Sequence, residues 1–182
     1  MKGGIKAWNG LKAEGYPEVA MNYFGAAAST EELVVLAWLL EEATRKLYRN
    51  ISEALRDQSL ILLFHDLAQG EEQHKSVLEG LYMEFAAGTA AAGIEGHRLS
   101  QSKGGDLTEG GVRLDEALQW LRGRKERDIL EFAVSLEANA YDRYLTMWRL
   151  IENERSKRVF ESLFRAEKQH LERLIEAFEG TL

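Results

Sequence analysis

The sequence predicts an all-α protein: a four-helix bundle built from two antiparallel helix hairpins joined by one long crossover. Three observations carry that expectation. Apolar residues recur at helical spacing through four long stretches. Proline occurs once, at Pro17, so nothing interrupts those stretches. The second half of the chain also repeats the first. A shift of 96 positions lays Ala37, Leu40, Glu41 and Tyr48 on Ala133, Leu136, Glu137 and Tyr144. The same shift lays Leu67, Glu71, Gln73, His74 and Leu78 on Leu163, Glu167, Gln169, His170 and Leu174. So many matches in one register mark two copies of one helix pair.

The first bundle helix is expected to start near Ser29 or Thr30. Ser29 with Glu32 fits a capping box, and Glu31 and Glu32 suit the positive end of a helix. Its inward stripe is Val34, Ala37, Trp38, Glu41, Tyr48, Ile51 and Leu55, ending near Arg56. Asp57-Gln58-Ser59 reads as a tight reversal. A second helix, expected over about 60–87, carries Leu60, Leu63, Phe64, Leu67, Glu71, His74, Leu78, Leu81 and Phe85 on its face. A turn this short makes the two helices antiparallel neighbours.

Residues 88–112 are rich in Gly, Ala, Ser and charge, with Gly104-Gly105 and Gly110-Gly111, and read as a mobile connection. Leu114 to Leu121 fits a short helix before Gly123. The third long helix is expected over about 125–153, with Leu130, Ala133, Val134, Glu137, Tyr141, Tyr144, Trp148 and Ile151 inward. A break near Asn153 leads into the fourth, over about 156–179, with Leu163, Leu174 and Phe178 on its stripe.

Composition narrows the function. With 182 residues the chain suits one domain and an appendage. There is no cysteine, which excludes disulfides, thiol catalysis and Cys-ligated zinc or iron–sulfur sites. A formal charge of −7 argues against a nucleic-acid partner. No apolar run is long enough for a membrane span and no signal-peptide core is present, so a cytoplasmic location is expected.

The chemistry lies in the repeat. Glu71 and His74 are three residues apart, as are Glu167 and His170, so each pair shares a helix face. Glu41 precedes His74 by the same interval at which Glu137 precedes His170. Carboxylates and imidazoles inside apolar stripes need a partner, because burying them alone is costly. A metal ion is the natural one. Four carboxylates and two neutral imidazoles carry −4, which two divalent ions cancel. Without metal the carboxylates would repel, and some would take up protons.

Two helices each giving one Glu, and two each giving Glu-x-x-His, is a known di-iron or di-manganese pattern. On Glu41, Glu71, His74, Glu137, Glu167 and His170, residues 30–180 resemble the ferritin-like superfamily, most closely its rubrerythrin branch. The resemblance implies two iron ions, one His per metal and some bridging carboxylates. Oxygen and nitrogen donors alone also suit manganese or zinc. The sequence departs from many rubrerythrins in two ways. It has no Cys-rich electron-transfer module, and it has Ala140 where many carry a further carboxylate. The six-residue set is nearer to that of bacterioferritin.

Tyr48 and Tyr144 each lie two turns beyond an inward Glu and are expected to hydrogen-bond a ligand carboxylate. Tyr141 is a weaker candidate. Glu42 and Glu72 are expected on the surface, His65 and His97 to be ordinary, and Trp38 and Trp148 to be core or interface residues.

Residues 1–24 stand apart from the ferritin-like residues 25–182. Gly3-Gly4-Ile5-Lys6-Ala7-Trp8 and Gly15-Tyr16-Pro17 resemble the closing turn and last helix of a rhodanese (sulfurtransferase) domain. The other reading is a short amphipathic helix. The rhodanese resemblance implies a longer fusion, with this segment inactive because the nucleophilic Cys is absent.

Three functions follow. The first is a redox enzyme that reduces peroxide or dioxygen with electrons from an external donor. The second is an iron-handling subunit of a hollow shell. The third is a metal-stapled module fused to a sulfurtransferase. A homodimer is expected, and would exclude the shell.

Overall fold

The computed structural model describes residues 29–85 and 106–181. The readings of residues 1–24, of His97 and of the crossover up to residue 105 lie outside them. Among the described residues, four long helices and one short one are formed: α1 (Thr30–Ala54), α2 (Gln58–Phe85), α3 (Leu114–Leu121), α4 (Glu126–Leu150) and α5 (Glu154–Glu179). α1 packs on α2 and α4 on α5, giving the two hairpins the repeat implies. The described residues form the all-α bundle expected, and no described helix is long and apolar enough to cross a membrane.

Local chemistry sets the helix ends. Ser29 and Glu32 form the full capping box, each side chain bonding the other's backbone N–H. Asp57 Oδ1 accepts the N–H groups of Ser59 and Leu60 at 2.9 and 3.0 Å. The residues read as a reversal therefore cap α2, which starts two residues earlier than expected. Asn153 Oδ1 does the same for α5 by accepting from Arg155 and Ser156, so that helix also starts two residues early. Removing such a cap typically costs about 1 kcal/mol.

The inward stripes make two apolar clusters. One holds Val34, Ala37, Trp38, Leu78, Tyr144, Phe160 and Leu163. The other holds Leu47, Tyr48, Phe64, Leu67, Leu130, Ala133, Leu136 and Leu174. Burying each large side chain contributes roughly 1.5–3 kcal/mol, so these clusters are the main drive for assembly. α3 closes the second cluster through Ala117 and Trp120, whose ring lies 5.1 Å from that of Phe132. Phe85, expected inward, is exposed at the end of α2.

The end of the crossover departs from the mobile connection expected there. Residues 106–114 form a tight hairpin loop. Thr108 N–H bonds Val112 O, Gly111 N–H bonds Thr108 O and Leu114 N–H bonds Asp106 O. Gly111 has φ 76°, a conformation that side chains rarely adopt. Thr108, Glu109 and Gly110 are buried. The glycines here make a close-packed turn, and composition alone does not separate that from a loose linker.

Candidate metal centre

Six ionisable side chains meet in the bundle interior. Glu41 comes from α1, Glu71 and His74 from α2, Glu137 from α4, and Glu167 and His170 from α5. The four carboxylates are fully buried, and the two imidazoles are 7% and 8% exposed. The structure brings together all six residues singled out from the repeat.

They divide into two groups whose donor atoms lie within 4.8 Å of one another: Glu41, Glu71, His74 and Glu167, and Glu71, Glu137, Glu167 and His170. His74 Nδ1 is 3.2 Å from Glu41 Oε2, 3.0 Å from Glu71 Oε2 and 2.9 Å from Glu167 Oε1. His170 Nδ1 is 3.4 Å from Glu71 Oε1, 3.3 Å from Glu167 Oε2 and 3.7 Å from Glu137 Oε2. Glu71 and Glu167 thus turn one oxygen to each group. Glu41 serves only the first group and Glu137 only the second. The imidazoles lie side by side, with centroids 5.3 Å apart and planes 25° apart.

These donors fit two metal ions. One imidazole nitrogen carries at most one proton, so it cannot satisfy three carboxylates at once. Glu71 Oε1, Glu137 Oε2, both Glu167 oxygens and His170 Nδ1 have no hydrogen-bond partner. Buried polar atoms are rarely left so, and a cation between them satisfies the whole set. The arrangement could hold two metal ions, with Glu71 and Glu167 facing both positions.

The electrostatics of the protein alone agree. Burial pushes the Glu41 and Glu137 carboxyls well above their usual range, and neighbouring carboxylates add to it. Burial also works against the charge on Glu71 and Glu167, but the two histidines outweigh it and hold both carboxyls low. Burial disfavours charged imidazole, yet the carboxylates around His74 and His170 raise both well above the usual value. Protons on the histidines and on Glu41 and Glu137 thus take the place of cations.

Tyr48 and Tyr144 are fully buried and both reach the site. Tyr48 on α1 donates to Glu137 on α4, and Tyr144 on α4 donates to Glu41 on α1. Each tyrosine thus holds the carboxylate of the opposite hairpin. Burial raises both phenols well above their usual range, so they stay protonated and donate. Tyr141 instead packs edge-on against Phe164, at 6.0 Å. Trp38 is core, and Trp148 packs against the core edge.

Gly70 is what lets the His170 ring in. A Cβ there would lie 2.5 Å from His170 Nε2 and 2.7 Å from Cε1. Glycine inside a helix costs roughly 0.5–1 kcal/mol, and here it makes room for the imidazole.

One expectation changes. Glu42 is buried rather than on the surface, with Lys75 Nζ at 2.6 Å and Arg45 Nε at 2.9 Å. Burial opposes its charge, but those hydrogen bonds bring its pKa down to about 2. Glu72 is exposed as expected and joins the rim of the same network, and His65 is exposed beside Asp66.

Sequence reasoning also passed over Glu109, which is buried at the tip of the crossover hairpin. Neither of its carboxylate oxygens has a hydrogen-bond partner. An isolated glutamate among glycines carries no spacing signal. Ala140 is buried and leaves no carboxylate one turn beyond Glu137.

No curated protein matches the chain. Residues 128–181, which cover most of α4 and all of α5, match the Rubrerythrin family model. A hypothetical protein from Pyrococcus furiosus has a similar structure, with a TM-score of 0.63 and 23% identity over 93% of this chain and 95% of that one. So does a Thermotoga maritima protein classed provisionally as ferritin-like and diiron-carboxylate. Its TM-score is 0.59, with 18% identity over 85% of this chain and 97% of that one. The second helix hairpin thus resembles rubrerythrins, and the bundle shares its fold with these two structures, one of them classed as ferritin-like.

Proposed function

We propose that the protein is a non-haem di-iron oxidoreductase that reduces peroxide or dioxygen with electrons from an external donor. The observation that carries this reading is the pair of buried ligand groups sharing Glu71 and Glu167. Iron is favoured among the metals that oxygen and nitrogen donors accept by the Rubrerythrin match and by the Thermotoga neighbour's diiron assignment. Bound ferrous iron would supply two electrons, one per ion, which with two protons take hydrogen peroxide to two waters.

The chain's own residues supply the rest. Glu71 and Glu167 hold the two positions together. His74 and His170 give each position one nitrogen donor. Tyr144 and Tyr48 fix the Glu41 and Glu137 carboxylates from across the bundle. The two apolar clusters keep bulk water from the site.

The test is anaerobic loading with two ferrous ions per chain, followed by rapid mixing with peroxide or oxygenated buffer. The expected result is oxidation of both ions per peroxide and recovery of the ferrous spectrum on adding a reductant. A loaded, folded sample inert to both oxidants removes the redox reading. Unfolding on chelation without redox cycling would favour a structural staple.

A further inference from the structure

We propose that Glu109 is an additional carboxylate ligand of the metal centre, delivered by the crossover hairpin to the position served by Glu41 and His74. This rests on the di-metal reading above.

Glu109 is 1% exposed, and both its carboxylate oxygens are buried without a hydrogen-bond partner. A charge-bearing group is not normally left so. Its backbone is held on both sides. Its N–H donates to Thr44 Oγ1 at 3.0 Å, one turn beyond Glu41 on α1. The next residue, Gly110, lies against α4, where a Cβ would come within 2.1 Å of Leu136 Cδ2. Leu136 is the neighbour of Glu137. The hairpin tip therefore sits between the helices that carry Glu41 and Glu137.

The nearby cation does not account for the residue. Arg143 is 3% exposed, and its Nε and Nη1 also lack hydrogen-bond partners. Its charge feels that of Glu109, yet the described residues show no ion pair between them. Burial pushes the Glu109 carboxyl up, and Glu41, Glu167, Glu71 and Glu137 push it further, in that order. Of these, Glu41 belongs to the His74 group alone, whereas Glu71 and Glu167 belong to both groups.

The repeat gives a reason for one-sidedness. The counterpart of Thr44 under the 96-residue shift is Ala140, which has no hydroxyl to hold a second hairpin. The two metal positions would therefore differ in ligand number although the helices supply matching sets.

The experiment is anaerobic calorimetric titration of the full chain with manganese(II), with chelator competition, alongside thermal melts without metal. Glu109→Gln is expected to weaken one of the two binding events by about 10–100-fold and leave the other unchanged. The metal-free melting temperature should hold or rise, because an unpaired buried acid is removed. Thr44→Val, which frees the turn from α1, should weaken the same event and serves if Glu109→Gln does not fold. Two unchanged binding events in Glu109→Gln overturn the proposal while leaving the di-metal reading intact. So does an equal loss of both events with a lower metal-free melting temperature, the mark of a packing role. If the unaltered chain binds neither manganese nor iron, the di-metal reading falls first and this proposal with it.

Discussion

The two helix hairpins carry the same ligand pattern on different surroundings. In α1–α2 and in α4–α5 a lone Glu faces a Glu-x-x-His, and a Tyr follows two turns on. Around that shared set the halves diverge. Gly70 corresponds to Ala166, Thr44 to Ala140, Leu47 to Arg143, and Glu42 to Ala138. The matching positions hold the candidate metal ligands and core. The differing ones receive what the repeat cannot supply: the His170 ring at Gly70, the crossover at Thr44, and the Arg45–Lys75 network at Glu42. A repeat can preserve a site while the connection between its copies makes the two sides unequal.

The sharpest way to break this comparison is to set shared carboxylates against unshared ones. Glu71→Gln or Glu167→Gln should leave the chain unable to retain either ion, because each faces both groups. Glu41→Gln or Glu137→Gln should leave one ion bound. Metal analysis after gel filtration measures both, and equal losses in all four variants would contradict the bridging arrangement.

Metal removal gives the next largest effect, and it should depend on pH. Without metal, the raised values of His74 and His170 stabilise the fold fully below about pH 6.5, and that contribution is lost as pH climbs through the folded values. The raised carboxyls of Glu41 and Glu137 act in the same direction above 4.5. The lowered carboxyls of Glu71 and Glu167 oppose this only in acid, below 4.5. The metal-free melting temperature should therefore fall between about pH 5 and pH 9. Metal binding displaces those protons, so metal affinity should rise over the same range. A melting-temperature gap between loaded and stripped protein that fails to widen with pH would count against this account.

Gly70→Ala tests the asymmetry directly. In an open helix the change would stabilise by about 1 kcal/mol. Here the new methyl meets the His170 ring, so metal binding on the Glu137–His170 side should weaken by on the order of tenfold or more. The counterpart change, Ala166→Gly, should cost only about 1 kcal/mol in a thermal melt.

The smallest effects should come from the tyrosines, and they should cross over. Tyr144→Phe should weaken the ion beside Glu41, and Tyr48→Phe the ion beside Glu137, each by roughly tenfold. Titrations of Tyr144→Phe in a Glu137→Gln background, and of Tyr48→Phe in a Glu41→Gln background, isolate each side. The opposite assignment would mean that each phenol serves its own helix.

The sequence by itself determined the bundle, its hairpin pairing and the convergence of six candidate ligands. Helical periodicity and a repeated Glu-x-x-His are local patterns, and a helix carries its side chains to fixed angles whatever it packs against. Only the tertiary structure decided which carboxylates face both metal positions, which glutamate each tyrosine holds, and that Glu42 is buried. It alone placed Glu109 between α1 and α4. Those outcomes depend on how rigid helices lie across one another and where a glycine turn docks. Such distances join residues far apart in the chain, and no spacing along the chain encodes them.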